Sequence, residues 1–180
     1  MERINAVTFA PFCARGTFEK EETRQSLKLM KEKTGANYVI FAPNGMQKTA
    51  FSEEIDYRTD RNVTDEELIA MIGYAKELGL NVALKPTANC ADGTWRAHIN
   101  FFDEDVVCEP KWGNWFASYR AFQEHYAGLA QQCGVDLFIA GCEMVQTERR
   151  EAEWREVIAA IAGSMMDWFP TIRISTRNTM

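Results

Sequence analysis

Two histidines, five cysteines without a single CxxC pair and five prolines are spread over a 180-residue chain, and each scarcity removes a class of function. His98 and His125 have no partner at metal-ligand spacing, and a cluster drawn from His98, Asp92 and Cys90 matches no recognised donor set. No metal and no cofactor are expected. Cys13, Cys90, Cys108, Cys133 and Cys142 are odd in number, which fits reduced thiols better than a disulfide framework. The chain has neither GxGxxG after its first strand-like run nor GxxxxGK[ST] anywhere, so the usual nucleotide sites are missing, and it lacks the GxSxG elbow of serine hydrolases.

Charge is also unremarkable in its distribution. Twenty Lys and Arg against 26 Asp and Glu give a formal charge of -6 with no basic stripe, which excludes nucleic acid as an expected partner. Every hydrophobic stretch is broken by a charge, Gly or Pro before the roughly 18 to 20 residues a membrane span needs. Met1-Glu2-Arg3-Ile4-Asn5 lacks the order of a secretory signal, so no membrane and a cytoplasmic location are expected. With 46% apolar residues, what remains is enough for one domain over residues 1–180.

What is present is a repeating strand–helix beat. Ile4 to Phe12 reads as a strand ending in the loop Cys13-Ala14-Arg15-Gly16, and Glu21 to Lys33 as a helix stopping at Gly35. Asn37 to Pro43 is a continuous apolar run of the kind a doubly covered parallel sheet requires. Thr64-Asp65-Glu66-Glu67 has the N-cap and third-position acid of a capping box, and the helix it opens ends at Gly79. Asn81 to Pro86 gives a third strand, a long loop leads to a helix from Trp115 to Gln132, and Val135 to Gly141 gives a fourth strand. A helix over Glu151 to Trp168 follows, and Thr171 to Thr176 reads as the start of a fifth strand. Four βα units with a parallel sheet result. Periodicity leaves a closed barrel and an open doubly wound sheet both standing, and the missing nucleotide motifs favour the barrel.

In either architecture, chemistry collects where strands end. That edge carries Phe12 and Arg15, then Asn44 and Gln47, then Lys85, Thr87, Asn89, Asp92 and Trp95, then Glu143 and Gln146. Glu143 directly follows Phe-Ile-Ala-Gly-Cys and is expected to leave the sheet with little access to water and a raised pKa, as a group that protonates a glycosidic oxygen needs. The competing reading is a solvated acid opening a loop. Trp95 and Trp112 fall in the long third loop, where an indole could stack on a sugar face, or simply tuck beneath the loop. Trp115, Tyr119 and Phe122, at helical spacing, are expected in the core.

Taken together, Val82-Ala83-Leu84-Lys85-Pro86, Asp92-Gly93-Thr94-Trp95-Arg96, Trp115-Phe116-Ala117-Ser118-Tyr119, Gly141-Cys142-Glu143 and Arg150-Glu151-Ala152-Glu153-Trp154-Arg155 resemble glycoside hydrolase family 113. The resemblance runs from about Ile4 to Trp168. It implies an incomplete (β/α)8 TIM barrel, retaining hydrolysis of a β-1,4-linked polysaccharide of mannan type, and Glu143 as general acid/base. On the same footing Lys85, Asp92 and Trp95 become candidate sugar contacts, joined by Asn89, Asn44 and Phe12 from the strand-end reading. Many related barrels carry Asn before the acid/base Glu, whereas Cys142 stands here, so a sugar hydroxyl bonded by that Asn needs another partner.

The family places its nucleophile at the end of a seventh barrel strand, and this sequence has no such position. Retention needs two carboxyl groups about 5 to 5.5 Å apart. Glu53, Glu54, Asp92 and Glu148 are other acids, but none stands at the family's nucleophile position. The chain is therefore expected to be weak or inactive alone. The alternative expectation is a non-catalytic half-barrel, assembling as a homo-oligomer through exposed barrel edges or binding a β-linked oligosaccharide without cleaving it.

Overall fold

A computed structural model describes residues 3–102 and 111–165 and, for the backbone alone, 109–110 and 172–174. The predicted strands are present and shorter than the apolar runs that announce them. They are β1 (Ala6–Thr8), β2 (Tyr38–Phe41), β4 (Asn81–Leu84), β6 (Leu137–Ala140) and β7 (Ile172–Ile174). Between the first four stand α1 (Glu21–Thr34), α2 (Asp65–Glu77) and α3 (Glu109–Cys133), and α4 (Glu151–Ser164) follows β6. The stretch of the expected last helix beyond Met165, the residues flanking β7, and Cys108 lie outside the described residues.

All five strands pair in parallel in the order β1-β2-β4-β6-β7. That order decides between the two architectures left open by periodicity. A doubly wound sheet reverses its strand order at a switch point, whereas each strand here is laid beside its predecessor, as in a barrel wall. The chain is an α/β fold of incomplete-barrel type.

Two strands were not anticipated. β3 (Asn44–Gln47) and β5 (Thr87–Cys90) form their own two-stranded parallel sheet, with Asn44 opposite Thr87 and Met46 opposite Asn89. Asn-Gly-Met-Gln and Thr-Ala-Asn-Cys lack both alternation and an apolar run, so the sequence alone reads as polar loop there. Their origin lies in matched prolines. Pro43 and Pro86 each follow a barrel strand by two residues, and proline brings no N–H to a ladder. The barrel strands stop there, but Thr87 N donates to the Pro43 carbonyl at 2.9 Å, and pairing resumes beyond the break.

Two further devices hold the units in register. Lys76 of α2 donates to the carbonyls of Cys133 (2.7 Å) and Gly134 (2.5 Å) at the end of α3, and Lys31 of α1 donates to the Leu78 carbonyl at the end of α2. Helix ends leave carbonyls without internal partners, and a lysine from the preceding unit satisfies them here. The capping box forms as the sequence predicts, with Thr64 accepting from Glu67 N. The Glu67 carboxylate, 4% exposed, also accepts from Gly16 N at 2.9 Å and Phe18 N at 3.2 Å. It thereby ties the β1–α1 loop, which carries Phe12, to α2.

The core centres on α3. Trp115 stacks on Tyr119 at 4.9 Å between ring centroids, Phe122 follows, and all three are buried as their spacing predicts. Trp112 belongs to the same helix and is fully buried, which corrects its placement in the third loop. The helix simply starts at Glu109, six residues before its first predicted residue. Among the described residues no helix is long and apolar enough to cross a membrane.

β3 passes so close to Ile55 in the loop that follows it and to Phe122 of α3 that a Cβ added at Gly45 would lie 2.6 Å from Ile55 Cγ2 and 2.9 Å from Phe122 Cζ. Both atoms belong to packed side chains, so a methyl group there overpacks the interface. Gly45→Ala is expected to destabilise the protein by about 1–3 kcal/mol, measured by urea unfolding, whereas Gly73→Ala, where an added Cβ meets nothing within 4 Å, is expected to be neutral or stabilising.

Candidate active site

Glu143 leaves β6 through a backbone that turns left-handed twice in three residues, at Gly141 (φ 79°) and at Glu143 itself (φ 56°). A side chain at Gly141 would press on the Trp154 ring, 3.1 Å away, so only glycine lets the strand end pass this close to α4. A non-glycine residue at positive φ costs on the order of 1 kcal/mol, and such strain tends to be kept where it aims a functional group. Here it aims Glu143 toward the ends of β4 and β5.

What meets it there is a pair of donors from the 3-10 turn after β5 (Arg96–His98) and its preceding residue. Trp95 Nε1 donates to Glu143 Oε2 at 3.0 Å, and Arg96 Nη1 donates to the same oxygen in an ion pair. Arg96 is itself held twice more, by the Ala88 carbonyl through Nε (3.0 Å) and by Asn89 Oδ1 through Nη2 (2.7 Å). Its side chain is only 10% exposed, against 42% for Glu143.

Two adjoining cavities open on this arrangement. One, of about 220 Å³, is lined by Phe12, Asn44, Lys85, Arg96, Cys142 and Glu143 among others. The second, of about 460 Å³, shares Phe12, Asn44 and Arg96 with it and adds Asn89 and Trp95. Together they form a cleft with exposed aromatic faces at Phe12 and Trp95. Such a surface suits a sugar, which offers one apolar face and a rim of hydroxyls. Among the described residues lining the two cavities, Glu143 is the one carboxyl group.

The strand-end residues named from sequence thus divide. Phe12, Asn44, Lys85, Asn89, Trp95 and Glu143 line one or both cavities. Asp92 instead accepts from Thr94 N at 2.9 Å and shapes the turn at Gly93 that delivers Trp95. Gln47 is buried and accepts from Trp115 Nε1 at 3.0 Å, so it serves the core. Arg15 pairs with Asp60 at 3.0 Å and lines a separate cavity beside His125. Arg96 belongs to the same site without a local signal: it closes the Asp92-Gly93-Thr94-Trp95-Arg96 motif, but an arginine in a polar loop reads as solvated until the fold brings it to an acid 47 residues away.

The expected raised pKa of Glu143 is overturned. The Trp95 hydrogen bond holds its carboxyl below the usual carboxylate range, with the Arg96 and Lys85 charges adding to the effect while partial burial opposes it. The error lay in treating a strand end as dry, when Glu143 is partly solvated and faces two cations. Cys90, by contrast, is pushed up to about 11 by burial, with Asp92 adding and Arg96 opposing, so its thiol stays protonated at neutral pH.

Because the folded carboxyl of Glu143 is more acidic than the unfolded one, its pairing adds stability above the unfolded carboxylate pKa. That contribution is lost as pH falls through the depressed folded value. Trp95→Phe removes one donor while keeping an aromatic face, and Arg96→Met removes the other with its charge. Each is expected to move the Glu143 titration upward, read by carbon NMR of the side-chain carboxyl, with Glu143→Gln assigning the resonance. An unmoved titration in both variants would refute this electrostatic account.

Comparison with known proteins fits this geometry. The family model of Glycoside Hydrolase Family 113 matches residues 7–166. A solved GH113 β-1,4-mannanase superposes with a TM-score of 0.89 at 48% identity, covering 97% of this chain and 55% of its own. A second, a GH113 β-1,4-mannanase complex, gives 0.92 at 47% identity, with 99% and 57% coverage. The GH113 β-mannanase AaManA from Alicyclobacillus acidocaldarius, in complex with ManMIm, gives 0.85 at 36% identity, with 95% and 53% coverage. No curated protein sequence matches the chain. The chain spans a little over half the length of these solved relatives, and the family match over residues 7–166 together with these identities shows its family: it belongs to glycoside hydrolase family 113.

Proposed function

We propose that this chain carries the acid/base half of a retaining glycosidase site acting on β-1,4-linked mannan, with Glu143 as the general acid/base. The observation that carries the reading is the placement of Glu143 at the C-terminal end of β6. One carboxylate oxygen is held there by Trp95 and Arg96, beside an open cleft with exposed aromatic faces. Barrel enzymes gather their catalytic groups at that edge. Mannan is favoured over other β-glycans because the related solved proteins are mannanases.

In a retaining double displacement the acid protonates the departing glycosidic oxygen while a second carboxylate attacks the anomeric carbon. The first group then takes a proton from the water that releases the sugar. Trp95 and Phe12 offer stacking faces and Lys85 a donor for sugar hydroxyls, while Asn44, buried and bonded to Asn89 and to the Arg61 carbonyl, underlies the cleft floor. The family pattern assigns the nucleophile to a seventh barrel strand, and among the described residues lining the two cavities Glu143 is the one carboxyl group. Incubated with β-mannan and an activated aryl mannoside, the chain is expected to show weak turnover, and Glu143→Gln is expected to lower it further, by at least about a hundredfold on the polysaccharide. Equal, near-background rates in both proteins would reject catalysis by this chain.

A second reading rests on the sheet itself. Among the described residues β1 and β7 each pair on one side only, and unpaired parallel edges invite another strand. A half-barrel that assembles with itself, or binds the glycan without cleaving it, would then be the functional unit. Sedimentation velocity separates the cases: a dimer across a tenfold dilution series is expected for assembly, and a compact monomer throughout would remove it.

A further inference from the structure

Resting on the acid/base reading of Glu143, a closer account of the polar groups behind it is available. Arginine has only donors, and this fixes the direction of every hydrogen bond that follows. Arg96 Nη2 gives its proton to Asn89 Oδ1 (2.7 Å), so the Asn89 amide nitrogen must face the other way. It does, donating to Asn44 Oδ1 at 3.0 Å, with a longer contact to the Thr87 carbonyl at 3.4 Å. Asn44 must in turn donate onward, and its Nδ2 reaches the Arg61 carbonyl at 3.3 Å. The backbone N–H of Asn44 is anchored as well, by Asn62 Oδ1 at 2.8 Å, and Asn62 holds the Tyr126 hydroxyl at 2.7 Å.

The result is a set of donors directed outward from Arg96, to Glu143 on one side and through Asn89 and Asn44 to the Arg61 carbonyl on the other. Reversing either amide would set two acceptors or two donors against each other. Aligned chains of this kind strengthen their members, because each donor is polarised by the next. Asn44 is 3% exposed, so its orientation is not negotiable with solvent.

At the other end, Glu143 Oε2 receives both Trp95 Nε1 and Arg96 Nη1, while Oε1 has no protein donor among the described residues. An oxygen that already accepts two donors is a poor place for a proton. We propose that Asn89 is a positioning residue which, oriented by Asn44, fixes the Arg96 guanidinium on Oε2 of Glu143 and so reserves Oε1 as the oxygen that carries the transferable proton. In the step this serves, the Oε1–H bond breaks and a bond from that proton to the glycosidic oxygen forms. The oxygen keeps the electron pair of the cleaving C–O bond, and a second carboxylate takes the anomeric carbon. The charge left on Glu143 remains beside Arg96. Asn89 therefore acts through Arg96, although it lines the larger cavity.

The test uses the full chain with side-chain-labelled glutamate and arginine. Lys85 and Cys142 also line the smaller cavity with Glu143, so the variants leave both in place. Asn89→Leu and Asn44→Leu remove the amides without adding charge. Each is expected to move the Glu143 carboxyl titration upward and to release Arg96, whose Nη hydrogens, held and separately resolved in the parent protein, collapse to an averaged signal. Asn44 touches neither Arg96 nor Glu143, so a purely local structural role for it would leave both readouts unmoved.

A folded Asn89→Leu with an unchanged Glu143 titration overturns the proposal. Averaged Arg96 Nη signals in the parent protein overturn it with no variant needed, which covers the case in which either substitution prevents folding. None of these readouts depends on turnover, so failure of the mannan assay would refute the acid/base reading without touching the positioning of Arg96.

Discussion

The constraint on which the site depends is the inability of the Arg96 guanidinium to accept a hydrogen bond. Once it is 10% exposed and committed to the Ala88 carbonyl, its remaining N–H groups need acceptors, and among the described residues two side chains supply them. Asn89 takes one and Glu143 the other. A buried cation without such partners would cost several kcal/mol, so the loop after β5 closes toward the end of β6 rather than outward into water. Trp95, the neighbouring residue, is carried along, and its exposed ring is the by-product of an arginine being satisfied.

The paired prolines are what make that geometry reachable. Without the breaks at Pro43 and Pro86, Asn44 and Asn89 would continue the main ladder. Displaced into the separate β3–β5 sheet, they stand diagonally across two short strands, and their amides meet. Gly45 allows the same strand to lie against Phe122 and Ile55. A hydrogen-bonded layer thus sits between an aromatic core below and a sugar-sized cleft above. The polar layer is affordable because its buried amides are paired.

Much of this was legible in the order of residues. Strands covered on both faces announce themselves by continuous apolar runs, helices by their caps, and the capping box at Thr64 and Glu67 formed as written. Glu143 could be placed at the sheet edge because an acid directly after Phe-Ile-Ala-Gly-Cys has nowhere else to go. The β3–β5 sheet could not, since its strands are held by backbone pairing beyond a proline and carry no pattern of their own. Trp112 was misplaced because the first turns of α3 hold Pro110 and Gly113, residues that argue against a helix until burial of Trp112 and Trp115 outweighs them. Arg96 was invisible for a different reason: an ion pair across 47 residues has no local signature.

The depressed pKa of Glu143 bears on how such a site works as an acid. A general acid has to hold its proton near neutral pH, and a carboxyl flanked by Trp95, Arg96 and Lys85 does not. On the proposed reading, the correction comes from the second carboxylate that retention requires about 5 to 5.5 Å away, since a like charge at that distance disfavours ionisation. The cations and the indole then have a purpose beyond holding Oε2. They keep the acid from being over-corrected, so that it can give up its proton in the first step and accept one in the second. The half-site described here is biased toward the ionised base, and whatever supplies the opposing carboxylate also supplies the means of making Glu143 an acid.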